Sequence, residues 1–282
     1  MTIKSVGIIG SGIMGSGIAQ VAATSGFDVV LRSRKQESAD QTVAAMQKSL
    51  EKLVAKERMS QDDADAAVAR VRATSKLDDL ADCDLVIESV VEDLATKVAL
   101  FNDLDHHCKD DAILATNTST LSGIEMAVET RRPERVCGVH FFNPAPMMSL
   151  VEIIQTLVTS DETIAEVRQF AEACGKSPVE VKDRAGFIVN HLLFPYLNNA
   201  VRMLENGTAS RDDIDSAMKG GANFPMGPFA LLDLVGLDTS LSILDALYEE
   251  FRDANYAPAP LLRRMVSAGH LGRKSGNGFY EY

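Results

Sequence analysis

The sequence has no tryptophan among its 282 residues, and aromatic residues make up only 6% of it. It also lacks an uninterrupted apolar run of membrane-spanning length and a positively charged start followed by an apolar stretch. We therefore expect neither a transmembrane helix nor a secretory leader, and a cytoplasmic location.

Cysteine is scarce as well, and the four cysteines lie far apart, at Cys83, Cys108, Cys137 and Cys174. None belongs to a C-x-x-C pair, which argues against a zinc site and against a disulfide framework. We expect four reduced packing residues and no bound metal.

Positive charge is in deficit, because 28 lysines and arginines face 40 acidic residues and give a formal net charge of -12. Such a protein has no net positive field to gather nucleic-acid phosphates, so a nucleic-acid-binding function is excluded. An anionic ligand would therefore have to bind at a local cluster of basic residues.

Short apolar, β-branched runs alternate with helical patterns as far as residue 184, which is typical of βαβ units. The predicted fold is α/β, with a Rossmann-like doubly wound parallel sheet in a dinucleotide-binding domain over residues 1–184 and a helical insert at 37–72. After residue 184 the strand-like runs disappear, and residues 185–282 are predicted to form an all-helical domain for substrate binding and dimerisation. The predicted strands are residues 6–9, 29–31, 85–87, 112–115, 136–141, 151–154 and 179–181, and the later helices 186–206, 211–219, 229–252 and 260–268.

A glycine-rich loop follows the first strand directly and opens an amphipathic helix: Gly10-Ser-Gly12-Ile13-Met14-Gly15. In this context the G-x-G-x-x-G pattern is a strong indication of dinucleotide binding. The first glycine permits the tight turn, the second lets the backbone approach a pyrophosphate, and the third allows close packing of helix and strand. The alternative is a glycine-rich turn without a ligand.

The second strand ends in Arg32-Ser33-Arg34-Lys35, where a NAD site normally offers an acidic residue to the ribose hydroxyls. Basic side chains and a serine hydroxyl suit a 2′-phosphate instead, so this loop favours NADP(H). The alternative is a solvated basic loop, with NAD(H) bound without its usual acidic partner.

Oxidation of a secondary alcohol requires a base for the hydroxyl proton, and histidine is well matched to that task. His140 lies at the end of a predicted strand, where open α/β sheets place their ligands, and Glu152 can support it if the two strands are neighbours. On spacing alone, His140 is as well explained as a core residue, and Glu152 as an edge residue facing water.

Several motifs, in order along the whole chain, resemble the L-3-hydroxyacyl-CoA dehydrogenase family, and its bacterial 3-hydroxybutyryl-CoA dehydrogenases look most alike. They include Asn117-Thr-Ser119-Thr, Val139-His140-Phe-Phe-Asn-Pro144, Val151-Glu152-Ile153, Asp183-Arg-Ala-Gly-Phe-Ile-Val-Asn190 and the glycine-rich ending 271–280. The resemblance implies reversible hydride transfer on an (S)-3-hydroxyacyl-CoA. The expected substrates are short, namely 3-hydroxybutyryl-CoA and acetoacetyl-CoA. The expected pathways are fatty acid and butanoate metabolism.

The same resemblance implies residue roles. His140 and Glu152 would be the catalytic pair, Ser119 and Asn190 would hold the substrate at the reacting centre, and Glu92, Lys97 and Asn117 would line the nicotinamide and its ribose. Without the resemblance, Glu92 and Lys97 are better explained as a solvated pair at a helix start.

Lys52 and Lys56 match positions that the family uses for CoA, and their four-residue spacing predicts one face of the inserted helix. A charged solvent face is the alternative.

The apolar segment 187–204 needs a second helix layer or another subunit, so we expect a homodimer. Two other functions stay open: a dehydrogenase of another hydroxy acid or hydroxyacyl-CoA, and a non-catalytic dinucleotide sensor.

Overall fold

The computed structural model of this chain describes residues 3–282, which divide into two compact units. The first unit ends at Asp183, and the second runs from Arg184 to Tyr282. Among the described helices, none has the length and apolar character needed to cross a bilayer.

Within the described residues, the first unit is built on an eight-stranded sheet in the order β3-β2-β1-β4-β5-β6-β7-β8. Its central strands are buried on both faces, which explains their continuous apolar sequences. The strands are Ser5–Ile9 (β1), Asp28–Arg32 (β2), Val71–Thr74 (β3), Leu85–Glu88 (β4), Ile113–Thr116 (β5), Val136–Phe141 (β6), Leu150–Gln155 (β7) and Ser177–Lys182 (β8).

Two expectations about the sheet are corrected. β7 runs antiparallel to β6, because the connection 142–149 is shorter than the dozen or so residues that a parallel crossover requires. The predicted helical insert also extended too far, since Val71 and Arg72 begin strand β3, which pairs in parallel with β2.

Helices cover both faces of this sheet: Ile13–Thr24 (α1), Gln36–Val54 (α2), Gln61–Ala69 (α3), Leu94–His107 (α4), Gly123–Ala127 (α5) and Asp161–Ala173 (α6). Ser60 and Asp63 form a capping pair at the start of α3. The Asp63 amide donates to the Ser60 hydroxyl at 3.1 Å, and that hydroxyl donates to the Asp63 carboxylate at 2.6 Å.

The second unit is helical and has its own apolar core. Its helices are Val189–Glu205 (α7), Arg211–Ala222 (α8), Pro228–Val235 (α9), Leu237–Phe251 (α10) and Pro260–Ser267 (α11). The prediction of a single helix over 229–252 is wrong. Gly236 separates α9 from α10 with a φ of 103°, a conformation that glycine adopts without steric cost.

Candidate active site

The glycine loop lies between β1 and α1, and close backbone contacts dictate two of its glycines. A Cβ on Gly10, whose φ is 120°, would lie 2.2 Å from the Ser89 carbonyl oxygen. A Cβ on Gly15 would lie 2.0 Å from the Gly10 carbonyl oxygen. A Cβ on Gly12, by contrast, would have no neighbouring atom within 4 Å. Open space therefore remains over the N-terminus of α1.

That open space belongs to a cleft of about 420 Å³ between the start of α1 and α2. Gly12 and Ile13 line it from the loop, and Ile13 is 77% exposed, while Met14 beside it is half-buried. The free N–H groups and dipole of a helix N-terminus favour an anion such as a pyrophosphate. The residues present therefore fit a dinucleotide.

The end of β2 carries cations and no carboxylate over residues 32–35. Burial, and then the charge of Arg34, lower the pKa of Arg32. Arg34 is exposed, whereas Ser33 is buried and shares a 2.9 Å hydrogen bond with the Ser11 hydroxyl of the glycine loop. Arg34 and Lys35 are thus the solvent-facing cations of this turn, and Ser33 connects the turn to the dinucleotide loop.

His140 and Glu152 lie directly opposite each other on the antiparallel strands β6 and β7. His140 Nδ1 is 2.8 Å from Glu152 Oε2, and the two residues are 7% and 0% exposed. A carboxylate that accepts the Nδ1 proton makes Nε2 the basic nitrogen and stabilises an imidazolium. Phe142 packs on the imidazole, with 4.5 Å between ring centroids and 55° between the planes.

The loop after His140 packs against the dinucleotide helix. A Cβ on Gly17 of α1 would lie 3.1 Å from the Cβ of Ala145. Just before β8, the Lys176 ammonium donates to the carbonyl oxygens of Ala145 at 2.7 Å and Met148 at 2.8 Å. The loop that follows His140 and the dinucleotide helix are therefore in direct contact.

Ser119 follows β5 and contacts a carboxylate. Glu92 Oε1 accepts from the Ser119 amide at 3.0 Å and lies 3.4 Å from its hydroxyl oxygen. The other oxygen of Glu92 is 3.4 Å from the ammonium of Lys97, which is only 1% exposed. The alternative of a solvated Glu92–Lys97 pair is therefore wrong for Lys97.

Asn117 connects β5 to β6. The side-chain oxygen of Asn117 accepts a hydrogen bond from the backbone N–H of Phe141 at 2.8 Å. The backbone N–H of Asn117 donates to the Glu88 carbonyl oxygen, also at 2.8 Å. The oxygen is thus committed to the strand that carries His140, and the side-chain NH₂ is the group that remains to bind a ligand.

Three more of the predicted residues belong to other elements. Asn190 is 8% exposed in the first turn of α7, in the second unit. Lys52 is exposed in the last turn of α2, but this helix ends at Val54, so Lys56 lies in the following turn and not on the predicted helix face.

Two residues of the site were missed by the sequence analysis. Phe142 lies two residues after His140 in the sequence, and this aromatic neighbour was a usable signal for a ring contact. Glu88 is fully buried at the end of β4 and lies 2.6 Å from Lys97. A glutamate that ends an apolar run marks a buried carboxylate in need of a partner, as Glu152 does.

Comparison with family models matches the whole of both units. The model described as 3-hydroxyacyl-CoA dehydrogenase, NAD binding domain, matches residues 5–184. The model described as 3-hydroxyacyl-CoA dehydrogenase, C-terminal domain, matches residues 186–282.

Individual proteins give the same picture. A 3-hydroxybutyryl-CoA dehydrogenase of Clostridioides difficile is 49% identical over 275 residues, which is 98% of each chain. The crystal structure of (S)-3-hydroxybutyryl-CoA dehydrogenase from Ralstonia eutropha superposes with a TM-score of 0.97 and 44% identity, over 100% of this chain and 99% of that one. A diketoreductase that acts on dicarbonyl compounds is 30% identical, with a TM-score of 0.87 over both full chains.

Proposed function

Because the chain belongs to the 3-hydroxyacyl-CoA dehydrogenase family, we propose that it interconverts (S)-3-hydroxybutyryl-CoA and acetoacetyl-CoA with NADP(H) as the preferred cofactor. The family makes it an oxidoreductase acting on CH–OH, with an NAD-binding domain. The observation that carries the proposal is the buried His140–Glu152 pair on β6 and β7, whose connecting loop packs against the dinucleotide helix.

In the direction of oxidation, His140 Nε2 takes the proton of the substrate hydroxyl, and the Glu152 carboxylate stabilises the imidazolium that forms. Ser119 holds the reacting oxygen, and Asn190 contributes a substrate contact from the second unit. The bound nicotinamide supplies or accepts the hydride. Reduction reverses the proton transfer, with imidazolium His140 as the acid.

We assign cofactor binding to the glycine loop, with Gly10, Gly12 and Gly15, which is open at Gly12, and to Ile13 and Met14 at the first turn of α1. The nicotinamide end belongs to Asn117, Glu92 and Lys97. The preference for NADP(H) is supported by Arg32 and Arg34, whose charges suit a 2′-phosphate, and by the absence of a carboxylate over residues 32–35.

The first experiment compares acetoacetyl-CoA reduction with NADPH and NADH on the purified protein. We expect a higher kcat/KM with NADPH, and an Arg34→Ala variant that raises KM for NADPH about 10-fold while leaving KM for NADH unchanged. A wild-type preference for NADH would keep the reaction and refute the cofactor assignment. Inactivity with both cofactors would refute the reaction.

CoA recognition is supported by one stripe of α2. Gln41 and Ala45 line the cleft beside the glycine loop, and helical spacing continues this stripe through Lys48 to Lys52. Lys56, in the turn that follows, adds a third cation. These lysines are the local basic cluster that the CoA phosphates require on an acidic protein.

A dehydrogenase of free hydroxy acids is the second candidate function, because a protein similar over the full chain is a diketoreductase that acts on dicarbonyl compounds and not on a named acyl-CoA. Lys52→Ala and Lys56→Ala separate the two. For a CoA substrate we expect KM for acetoacetyl-CoA to rise about 5- to 10-fold in each variant, with kcat nearly unchanged. Lys76→Ala, at an exposed lysine beyond β3, is the control. Unchanged KM values, together with turnover of free acetoacetate, would favour the free-acid reaction.

We further propose that the first unit binds the dinucleotide, that the second unit contributes substrate contacts and a homodimer interface, and that the enzyme works in the cytoplasm. Support for the interface comes from α7, where Leu192 is 69% exposed and Met203 is 43% exposed. Eleven residues make about three helical turns, so both side chains lie on one face.

A further inference from the structure

Glu88 is a fully buried carboxylate for which the proposed chemistry has no use. It ends β4, and both of its oxygens accept hydrogen bonds. Oε1 accepts from the Val90 amide and the Lys97 ammonium, each at 2.6 Å, and Oε2 accepts from the Thr116 hydroxyl at 2.8 Å. This carboxylate is therefore fixed by two strand ends and one helix.

Lys97 lies between two carboxylates of different exposure. Its ammonium is 2.6 Å from the buried Glu88 and 3.4 Å from Glu92, whose side chain is 40% exposed. An ammonium that is 1% exposed needs an ionic partner, and Glu88 is the closer one. Glu88 thereby determines where the Lys97 charge lies, and Lys97 in turn attracts one oxygen of Glu92.

The other oxygen of Glu92 organises the loop that follows β5. Oε1 accepts from the Thr118 hydroxyl at 2.5 Å and from the Ser119 amide at 3.0 Å. A continuous chain of ion pairs and hydrogen bonds thus runs from Glu88 through Lys97 and Glu92 to Ser119, the proposed substrate residue.

Stability alone gives no reason for this arrangement. A buried ion pair is often no more stable than well-packed apolar residues of similar volume, because desolvation offsets the Coulomb attraction. The pair is useful if it presents a fixed charge to something at the surface of the site. Glu92 is the only group in the chain of hydrogen bonds from Glu88 to Ser119 that combines a negative charge with substantial exposure.

We propose that Glu88 is a positioning residue, which acts through Lys97 on Glu92 and so fixes the Ser119 loop at the reacting centre. The inference rests on the proposed function for the role of Ser119. Its two testable consequences are that loss of the Glu88 charge impairs turnover and that this effect requires Lys97.

The experiment is a double-mutant cycle with Glu88→Gln, Lys97→Met and the double variant, measured by kcat for acetoacetyl-CoA and by the Kd of NADPH from its bound fluorescence. Glu88→Gln should lower kcat about 10- to 100-fold, because a small misplacement at a reacting centre has an effect of this size. It should also raise the Kd about 5-fold, because Glu92 and Lys97 face the cofactor. In the Lys97→Met background, Glu88→Gln should change either quantity less than about 2-fold.

Glu166→Gln is the matched control. Glu166, on α6, is also a buried carboxylate paired with a cation, and it lies 2.9 Å from an Arg135 nitrogen. It should lower Tm and leave kcat and Kd within about 2-fold of wild type. Wild-type kcat and Kd in Glu88→Gln would overturn the proposal. So would an equal effect of Glu88→Gln with and without Lys97, because Glu88 would then act by another route.

The test stays decisive if Glu88→Gln does not fold, and also if the wild type turns over no acyl-CoA. If Glu88→Gln does not fold, Lys97→Met is compared with the double variant, in which both buried charges are absent; a further loss of kcat in the double variant overturns the proposal. If the wild type turns over no acyl-CoA, the proposed function fails, and the Kd of NADPH still completes the cycle.

Discussion

At the scale of single residues, buried carboxylates at the sheet organise the site. Glu88 and Glu152 are both fully buried, and a charge in such a place must have a partner. For Glu152 the partner is the proposed base, and for Glu88 it is an ammonium that reaches towards the substrate loop.

Glu152→Gln tests the first of these pairs. The glutamine keeps the shape and an acceptor for His140 Nδ1, but it cannot stabilise an imidazolium by charge. We expect kcat to fall about 10²- to 10⁴-fold, with an NADPH Kd close to that of wild type. Steady-state kinetics and cofactor fluorescence measure the two effects.

His140→Ala provides the comparison for that variant. It should bind cofactor normally and lose at least as much kcat as Glu152→Gln, and the double variant should be little worse, because the two residues act as a unit. Near wild-type turnover in either single variant would contradict the assigned base.

Sequence reasoning at this scale succeeded where chemistry and motif coincided and failed where a partner came from a distant part of the chain. Glu152 was selected because a neighbouring strand could carry a histidine. Without the family resemblance, Lys97 was better explained as solvated, because nothing local reveals that β4 supplies Glu88 to bury it.

At the scale of elements, boundaries were harder to predict than element types. The periodic pattern of α2 continues past its real end, so Lys56 was placed on a helix that stops at Val54. The pattern of 229–252 hid a break, because one glycine is tolerated in a helix and its positive φ at Gly236 is set by packing.

The ion pairs between α4 and the segment that precedes β6 can be tested for their effect on stability. Asp105 of α4 accepts from Arg131 Nε at 2.7 Å and from Arg132 Nε at 2.8 Å. Burial opposes ionisation, but these arginine hydrogen bonds outweigh it and lower the pKa of Asp105 below 3.8. A carboxyl whose pKa is lowered on folding stabilises the protein above its unfolded pKa, and this contribution disappears as the pH falls through the folded value.

Asp105→Asn should therefore lower Tm by about 5–10 °C at pH 7. The difference from wild type should stay constant down to about pH 5 and shrink only as the pH falls below 3.8, the ordinary value of this carboxyl. Thermal unfolding over that pH range is the measurement. A difference that is independent of pH throughout would show that packing, and not charge, explains the loss.

At the scale of the whole molecule, the fold class and the family are confirmed. Alternating strands and helices predicted the sheet, and the loss of strand patterns after residue 184 predicted the helical part. The reversed direction of β7 was missed because apolar periodicity gives no strand direction, although the short connection 142–149 contained that information.

The proposed homodimer is tested by Leu192→Glu, which places a charge on the exposed apolar face of α7. We expect the wild type to sediment with twice the chain mass of 30.5 kDa and the variant to dissociate at micromolar concentration. Leu157→Glu, at a leucine of the first unit that is 95% exposed, is the control and should leave the mass unchanged. A wild type that sediments as a monomer would refute the proposal.

The antiparallel pairing of β6 and β7 has a consequence for how this protein can change during evolution. His140 and Glu152 are held opposite each other by the strand register and not by the loop that joins the strands. Insertions and deletions between Phe142 and Ser149 therefore leave the pair intact, whereas a one-residue slip of either strand turns one partner to the other face. This loop can diversify, and with it the shape of the site, while the acid–base pair is inherited unchanged.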